Sequence, residues 1–148
     1  MIWKPNVTVA SIIEKNGKFL VVEEESSKGP VINQPAGHLE PNESLQDAVI
    51  RETLEETGYQ FTPSAIIGSY LWHNNDNQTT YFRTTFVGSV PDQPFQTTLD
   101  SGIIRACWMS LDALKTEQKR LRSPIILESI SDYLEGKSQS LDSIKSYL

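Results

Sequence analysis

The sequence predicts an α+β fold, an α/β/α sandwich in which a mixed central β-sheet lies between helices. Two observations predict it. Short segments rich in β-branched and apolar residues lie both before and after residues 45–57. That segment and two others near the end of the chain carry helix signals. Strands and helices that each bury one face pack in layers of this kind. The length of 148 residues and an apolar content of 38% further predict one globular domain, residues 1–148.

The first strands are predicted to form a β-hairpin. Residues 7–14 (VTVASIIE) and 18–24 (KFLVVEE) are mostly apolar or β-branched, and Asn16-Gly17 between them is a strong turn signal. Residues 31–33 are then expected to form a short extended segment after a polar loop.

Residues 45–57 (LQDAVIRETLEET) are predicted to form the central helix. Ser44 is a suitable N-cap because Asp47 follows three residues later, as in a capping box, and Gly58 ends the helix. The apolar side chains are expected on the side of the helix opposite its glutamates, where they would pack on a sheet. They are Val49, Ile50 and Leu54, together with Thr53.

The second half of the chain is predicted to contain three further strands and two helices. The strands are expected at residues 65–72, 79–90 and 103–109. Ser110 is placed to cap a short helix, and Ser123-Pro124 begins another that ends before Gly136. The pattern leaves the conformation of residues 137–148 open.

Three glutamates of the central helix mark the candidate functional site. Glu52, Glu55 and Glu56 are spaced i, i+3 and i+4, so their carboxylates point to one side within an arc of roughly 100°. Like charges at these spacings destabilise a helix, and the cost rises when they are partly desolvated. A divalent cation would neutralise them, and clustered carboxylate oxygens suit Mg²⁺, with Mn²⁺ as an alternative.

The composition argues against several classes of function. Acidic residues outnumber basic ones by 19 to 13, and the net charge of −6 argues against binding to a nucleic-acid polymer. A small phosphorylated substrate is compatible with this negative charge, because a bound cation makes the electrostatic potential at the site locally positive. No apolar stretch approaches the roughly 18 residues of a membrane span, and the N-terminus lacks a signal-peptide pattern. We therefore expect a cytoplasmic protein that does not bind a membrane.

Residues 37–59 (GHLEPNESLQDAVIRETLEETGY) resemble the signature of the Nudix hydrolases. That signature has a glycine, a glutamate, an Arg-Glu pair, a Glu-Glu pair and a second glycine at fixed spacing. The matching positions here are Gly37, Glu43, Arg51-Glu52, Glu55-Glu56 and Gly58. Thr53 and Tyr59 depart from it, because the signature has bulky aliphatic residues at both positions. These departures concern packing rather than chemistry.

The resemblance extends to about Tyr133, since the segments NQPAGHLE and LRSPIILESI look like those of the bacterial NudJ-type phosphatases of this family. It implies hydrolysis of phosphoanhydride bonds in nucleoside di- and triphosphates and in hydroxymethylpyrimidine pyrophosphate, with release of orthophosphate. Another specificity within the family is an alternative: cleavage of oxidised nucleotides, ADP-ribose or dinucleoside polyphosphates. A non-catalytic nucleotide-binding module is a second alternative, which the presence of all three glutamates disfavours.

The resemblance also implies roles for individual residues. Glu52 and Glu56 would be the main metal ligands, and Glu55 would be a further ligand or would orient a water. The backbone carbonyl of Ala36 would complete the coordination. Arg51 would hold a glutamate in place through a salt bridge.

The sequence does not identify the general base. The candidates are Glu52, Glu55 and the downstream aspartates Asp76, Asp92 and Asp100. Asp100 is favoured among the aspartates because it directly precedes a predicted strand, although an ordinary turn role before Gly102 explains it equally well.

Contacts to the substrate are expected from His38, Arg83 and Arg105. His38 is able to donate to a phosphate, and an arginine buried in a strand needs an anion such as a phosphate. A plain loop histidine and arginines on a solvated sheet face are the alternatives. One aromatic side chain is expected to stack on a pyrimidine or another base, from the set Trp3, Tyr70, Trp72, Tyr81 and Phe82. The chain is expected to act as a monomer or a homodimer.

Overall fold

The structure is a computed structural model that describes all of residues 1–148. It contains eight strands and three α-helices. In chain order these are β1 (Asn6–Ile12), β2 (Glu14–Lys15), β3 (Lys18–Glu24), β4 (Val31–Asn33), β5 (Ala36–His38), α1 (Leu45–Thr57), β6 (Thr62–Asn74), β7 (Thr79–Ser89), β8 (Ile103–Ser110), α2 (Leu111–Thr116) and α3 (Ile125–Leu134). Short 3₁₀ turns lie at Gln118–Arg120 and Leu141–Ser143. None of the helices is long and apolar enough to cross a membrane.

The strands form two four-stranded sheets rather than one. The first sheet has the order β5-β1-β7-β6, in which β1 and β7 are parallel and the other neighbours are antiparallel. In the second sheet, β3 pairs with β2, β4 and β8, and every pair is antiparallel. The predicted α+β class with a mixed sheet is confirmed, and the sheet is divided in two.

The predicted hairpin is correct only at its turn. Asn16 and Gly17 have φ values of 51° and 76°, and the strands that this turn joins are the two-residue β2 and the start of β3. The long strand β1 does not pair with β3. It pairs with β5 and β7 in the first sheet, so both of its edges are hydrogen-bonded, and the run of buried residues at its end is typical of a strand that is covered on both faces.

The central helix α1 has the predicted bounds and caps. The Ser44 hydroxyl accepts a hydrogen bond of 3.0 Å from the Asp47 N–H, and Gly58 ends the helix in the left-handed conformation. The predicted separation of an apolar side from an acidic side is only partly correct, because Val49 and Thr53 are buried as predicted but Glu52 and Glu56 are not on an exposed side. The helix buries Ala48 and Val49, and Glu52 and Glu56 follow them on the same side at helical spacing, whereas Ile50 and Leu54 are only partly buried.

Helices cover both faces of the two sheets. One cluster of buried side chains joins α1 to Val9, Leu20, Ile66 and Phe86 of the strands. A second cluster joins α2 and α3 to the other side of the same strands, through Ile12, Phe19, Val21 and Ile67. This arrangement is the predicted α/β/α sandwich. It leaves the inward side of α1, with its glutamates, at one end of the sheets.

The caps of the later helices also agree with the prediction. The Ser110 hydroxyl accepts a hydrogen bond of 3.1 Å from the Ala113 N–H at the start of α2. The Ser123 hydroxyl accepts one of 3.2 Å from the Ile125 N–H, and Gly136 follows α3 with a φ of 81°. The two ends of α3 are therefore fixed by local sequence.

Candidate functional site

A cavity of about 400 Å³ lies between α1, the strands β5, β6 and β7 of the first sheet, and the start of α3. Its walls carry both signs of charge. The side chains of Glu24, Glu52 and Glu56 line it together with Arg83 and Arg122. A concave site with a few converging charged groups is the kind of place where a small polar ligand binds.

Three carboxylates converge beside this cavity. Oxygen atoms of Glu52, Glu55 and Asp100 all lie within 4.8 Å of one another. The Glu52 side chain is 12% exposed, and the Glu55 side chain is 38% exposed. The structure therefore brings the predicted Asp100 to the helix glutamates, although these residues are far apart in sequence.

Backbone hydrogen bonds hold the loop that carries Asp100 against the end of α1. The Asp100 N–H donates to the Glu55 carbonyl at 2.9 Å, and the Phe95 N–H donates to the Gly58 carbonyl at 2.8 Å. A Cβ atom added to Gly58 would overlap the backbone oxygen of Gln96. The glycine thus ends the helix and also admits the loop. The other two candidate aspartates lie elsewhere in ion pairs, Asp76 with Lys28 and Asp92 with Lys15.

Glu56 is the most deeply placed of the helix glutamates. Its carboxylate accepts a hydrogen bond of 2.9 Å from the Ala36 N–H. Burial, together with the nearby charges of Glu24, Glu52 and Asp100, raises the pKa of Glu56 to about 8, against the opposing effect of the hydrogen bond from Ala36. Burial also raises the pKa of Glu52, against the opposing effect of Arg51.

These carboxylates fit a divalent cation. Glu56 is partly buried near the carboxylates of Glu24, Glu52 and Asp100, accepts one neutral backbone N–H, and forms no salt bridge with a cationic side chain. The converging groups offer hard oxygen donors, which Mg²⁺ and Mn²⁺ prefer. Glu52, Glu55 and Asp100 lie close enough to one another to share such an ion, whereas Glu56 lies outside this group of three, with its carboxylate at the Ala36 N–H.

Arg51 connects the acidic residues on the outer side of the cluster. Its Nε and Nη2 atoms donate to both oxygens of Glu43, at 2.9 and 2.7 Å, and its Nη1 donates to Glu52 at 2.8 Å and to Glu55 at 3.2 Å. The hydrogen bond with Arg51 lowers the pKa of Glu43, and the bond with Glu43 raises the pKa of Arg51. Arg51 therefore stays charged and orients two of the three converging carboxylates.

Gly37 is required by a close approach rather than by its backbone conformation. It lies in β5, and a Cβ atom at this position would overlap the carboxylate of Glu52. The missing side chain lets the Glu52 carboxylate lie directly against the strand.

Arg83 is a buried cation with incomplete pairing. Its side chain projects from β7 into the cavity, and the residue is only 7% exposed. Its Nη2 donates to the amide oxygens of Gln34 at 3.1 Å and Asn33 at 3.4 Å, and its Nε has no partner. Burial lowers the pKa of Arg83 to about 10. Because no carboxylate pairs with it directly, a phosphate in the cavity would supply the missing anion.

The other two predicted substrate contacts have different positions. His38 lines the cavity from β5, with its ring 6.4 Å from the ring of Tyr81. Arg105 does not line the cavity. It projects from β8 on the other sheet, where its side chain is 65% exposed and forms an ion pair with Glu23. The structure thus brings His38 and Arg83 to the site and leaves Arg105 outside it.

The sequence reasoning missed Glu24, Asn33 and Arg122, which also line the cavity. Arg122 lies in the segment LRSPIILESI, and Asn33 begins the segment NQPAGHLE. Both segments belong to the resemblance to the family. Their placement of polar residues next to otherwise apolar elements was a usable signal, since a charge beside a buried element needs a partner or a ligand.

Comparison with known proteins identifies the relatives of the chain. The family model described as "NUDIX domain" matches residues 3–129. Phosphatase NudJ of Escherichia coli strain K12 is 39% identical over 146 residues, which cover 96% of this chain and 92% of that protein. A solved structure of a NUDIX hydrolase from Nitrosomonas europaea is 46% identical, covers 97% of this chain and 98% of that one, and superimposes with a TM-score of 0.93. The MutT protein from Methanosarcina mazei Go1 is 26% identical, covers 93% of this chain and 99% of that one, and has a TM-score of 0.73.

Proposed function

The chain belongs to the Nudix hydrolase family, and we propose that it is a metal-dependent phosphohydrolase of small pyrophosphates. Its substrates in this proposal are nucleoside di- and triphosphates and related compounds such as hydroxymethylpyrimidine pyrophosphate, from which it releases orthophosphate. The ion is Mg²⁺, with Mn²⁺ as a substitute. Residues 1–148 act as one domain in this reaction.

One observation carries the proposal. The carboxylates that fit a divalent cation and the incompletely paired guanidinium of Arg83 line or adjoin the same cavity. Hydrolysis of a phosphoanhydride needs both, because negative charge on the phosphate oxygens must be neutralised while a water is held in line with the phosphorus. The resemblance of the sequence to phosphatase NudJ supports a phosphatase rather than a non-catalytic binding module.

In the proposed reaction, a divalent cation held by the helix carboxylates would neutralise charge on the phosphate oxygens and would lower the pKa of a bound water. Glu52, Glu55 and Glu56 hold that ion. Arg51 keeps the carboxylates of Glu52 and Glu55 oriented, and Arg83 binds a phosphate oxygen. His38 lies at the cavity wall, where it is able to donate to the substrate.

Asp100 is proposed as the general base. Its carboxylate lies within 4.8 Å of those of Glu52 and Glu55, so it is within reach of a water held between them. Asp76 and Asp92 do not belong to this cluster and form ion pairs with Lys28 and Lys15, so they are set aside. Glu52 and Glu55 are needed to hold the ion in this proposal, which leaves Asp100 as the carboxylate of the cluster with no other role.

The decisive experiment is a product assay. The purified protein is incubated with Mg²⁺ and a panel of nucleoside di- and triphosphates and hydroxymethylpyrimidine pyrophosphate, with EDTA in a parallel series. We expect orthophosphate from di- and triphosphates alike, and no product in EDTA. Exclusive release of pyrophosphate would contradict the proposed bond cleavage, and activity that persists in EDTA would contradict the metal requirement.

Asp100→Asn tests the choice of base. We expect its turnover number to fall strongly, while the Mg²⁺ concentration for half-maximal activity changes little. Asp92→Asn is the matched control, because that aspartate lies in the same loop and forms only an exposed ion pair with Lys15. Equal turnover in the two variants would contradict this choice and would indicate that Glu52 or Glu55 is the general base.

A further inference from the structure

We propose that Trp72 and Tyr81 form a stacking platform for an aromatic heterocycle of the substrate, and that Asn74 contacts the edge of this ring. The inference rests on the proposed function, because it adds a binding site for the ring of the substrate to the binding site for its phosphates. The substrates that fit are compounds in which a heterocycle is joined to phosphate by a short linker.

The two aromatic rings stack on each other at the cavity wall. Trp72 of β6 and Tyr81 of β7 are cross-strand partners, with ring centroids 5.8 Å apart and ring planes 21° apart. Both residues line the cavity, and both are only partly buried. Asn77 donates a hydrogen bond of 3.0 Å to the Tyr81 hydroxyl, which fixes the position of that ring. Because the two rings stack on each other and stay partly accessible, a heterocycle is able to continue the stack on the outer face of the pair.

The platform lies next to the phosphate-binding arginine. Tyr81 and Arg83 are two residues apart on β7, so their side chains project from the same face of the sheet, separated by about 7 Å along the strand. A substrate that reaches both must therefore have only a few bonds between its ring and its first phosphate. Nucleotides and phosphorylated hydroxymethylpyrimidine have this property.

Asn74 supplies a polar contact at the rim of the platform. It follows Trp72 by two residues on β6 and lines the same cavity. Its side-chain oxygen accepts a hydrogen bond of 2.9 Å from the Asp76 N–H, and its NH₂ group has no partner within the chain. The NH₂ group is thus free to donate to a ring nitrogen or carbonyl, whereas the amide of Asn77 is already used by Tyr81 and Thr79.

A purely structural role for the aromatic pair makes a different prediction. Cross-strand aromatic pairs also stabilise a sheet, so their removal is expected to lower stability whether or not a ligand stacks there. The test must therefore compare substrates with and without a ring on the same protein. Inorganic tripolyphosphate has the phosphoanhydride bonds of a nucleoside triphosphate and no ring.

The experiment measures kcat/KM for a pyrimidine nucleoside triphosphate and for inorganic tripolyphosphate, with Mg²⁺, in Trp72→Ala and Tyr81→Ala. We expect a loss of about 5- to 150-fold for the nucleotide in each variant, the range that removal of one stacking partner gives, and no change for tripolyphosphate.

Phe82→Ala is the matched control, because Phe82 is an exposed aromatic residue of the same strand on the opposite face. Trp72→Phe retains a flat ring and is expected to keep most of the activity. Equal losses for both substrates, or no loss for the nucleotide, would overturn the platform.

Fluorescence gives a readout that needs no catalysis. In EDTA, a pyrimidine nucleoside monophosphate is expected to quench the emission of the wild-type protein, and to have no effect on Trp72→Phe, which retains Trp3 and Trp108. Absence of quenching in the wild type, or equal quenching in the variant, would overturn the platform. If the wild type binds the monophosphate in this assay but hydrolyses neither polyphosphate, the proposed function fails and the platform stands.

Discussion

The side-chain hydroxyls of Ser11 and Thr53 lie 2.9 Å apart, and both residues are completely buried where β1 packs on α1. Thr53 occupies a position where the family signature has a bulky aliphatic residue. The structure explains this departure, because the polar group of Thr53 has a partner on the facing strand. The second departure has a similar explanation, since the ring of Tyr59 packs edge-on against Trp108 at a centroid distance of 6.0 Å.

The Ser11–Thr53 pair predicts a stability effect that depends on both residues. Thr53→Val would leave the Ser11 hydroxyl buried without a partner, at a cost of about 1–3 kcal/mol in the free energy of unfolding. The double variant Ser11→Ala/Thr53→Val removes both polar groups and is expected to recover most of that loss. Urea denaturation of the wild type, both single variants and the double variant measures the coupling. Additive losses in the double variant would show that the two hydroxyls do not depend on each other.

Gly58 combines two functions, and this predicts an unusually costly substitution. Gly58→Ala is strained by a φ of 80° and also places a methyl group on the backbone of Gln96. We expect it to lower the melting temperature and, by displacing the loop with Asp100, also the turnover number. Gly136→Ala is the matched control, because Gly136 ends α3 with a φ of 81° and has open space around it. The control should show only the cost of placing alanine in the left-handed conformation, roughly 1–2 kcal/mol. Equal effects on stability and turnover in the two variants would mean that the loop does not depend on Gly58.

The local features of this fold were predictable from the sequence. The bounds of α1, its cap at Ser44 and its end at Gly58 depend on residues within one helical turn of each other. The partner of β1 was not predictable in this way. Its adjacent apolar run at β3 suggested a hairpin, whereas the pairing that forms joins β1 to β7, about 75 residues later in the chain.

In the candidate site, too, the local features were predictable and the long-range contacts were not. Spacing within one helix pointed to Glu52, Glu55 and Glu56, and the choice of Asp100 depended on a predicted strand boundary. The contacts that place Asp100 are backbone hydrogen bonds to Glu55 and Gly58, which no side-chain pattern encodes. The inward turn of Glu56 was missed because sequence reasoning placed the acidic side of α1 away from the core.

Glu23 predicts a pH dependence of stability outside the site. It forms ion pairs with Arg105 and Arg120, and these bonds lower its pKa below the ordinary value of 4.5. Because the pKa is lower in the folded state, the stabilisation is present above about pH 4.5 and is lost as the pH falls through the folded-state value. Glu23→Gln should therefore lower the melting temperature slightly at pH 7, by roughly 2 °C for exposed partners. The difference from wild type should vanish in strong acid.

Glu25→Gln, at an exposed neighbouring glutamate with no ion pair, is the control. A constant difference from pH 7 to pH 3 would contradict the role of the ionised carboxylate.

Glu56 gives a test of metal binding that is independent of turnover. Because the raised pKa of Glu56 makes this carboxyl unfavourable in the folded state at neutral pH, and because Gln keeps an oxygen that accepts the Ala36 N–H, we expect Glu56→Gln without metal to be at least as stable as the wild type. Mg²⁺ at about 100 times its Kd should stabilise the wild type by about 2.7 kcal/mol, because the ion binds only the folded state. The same concentration should stabilise Glu56→Gln much less, and turnover should fall by orders of magnitude.

Glu128→Gln, the same change at an exposed position of α3, should respond to Mg²⁺ like the wild type. Thermal unfolding with and without Mg²⁺ measures all three proteins, and an equal Mg²⁺ response in Glu56→Gln would remove Glu56 from the metal site.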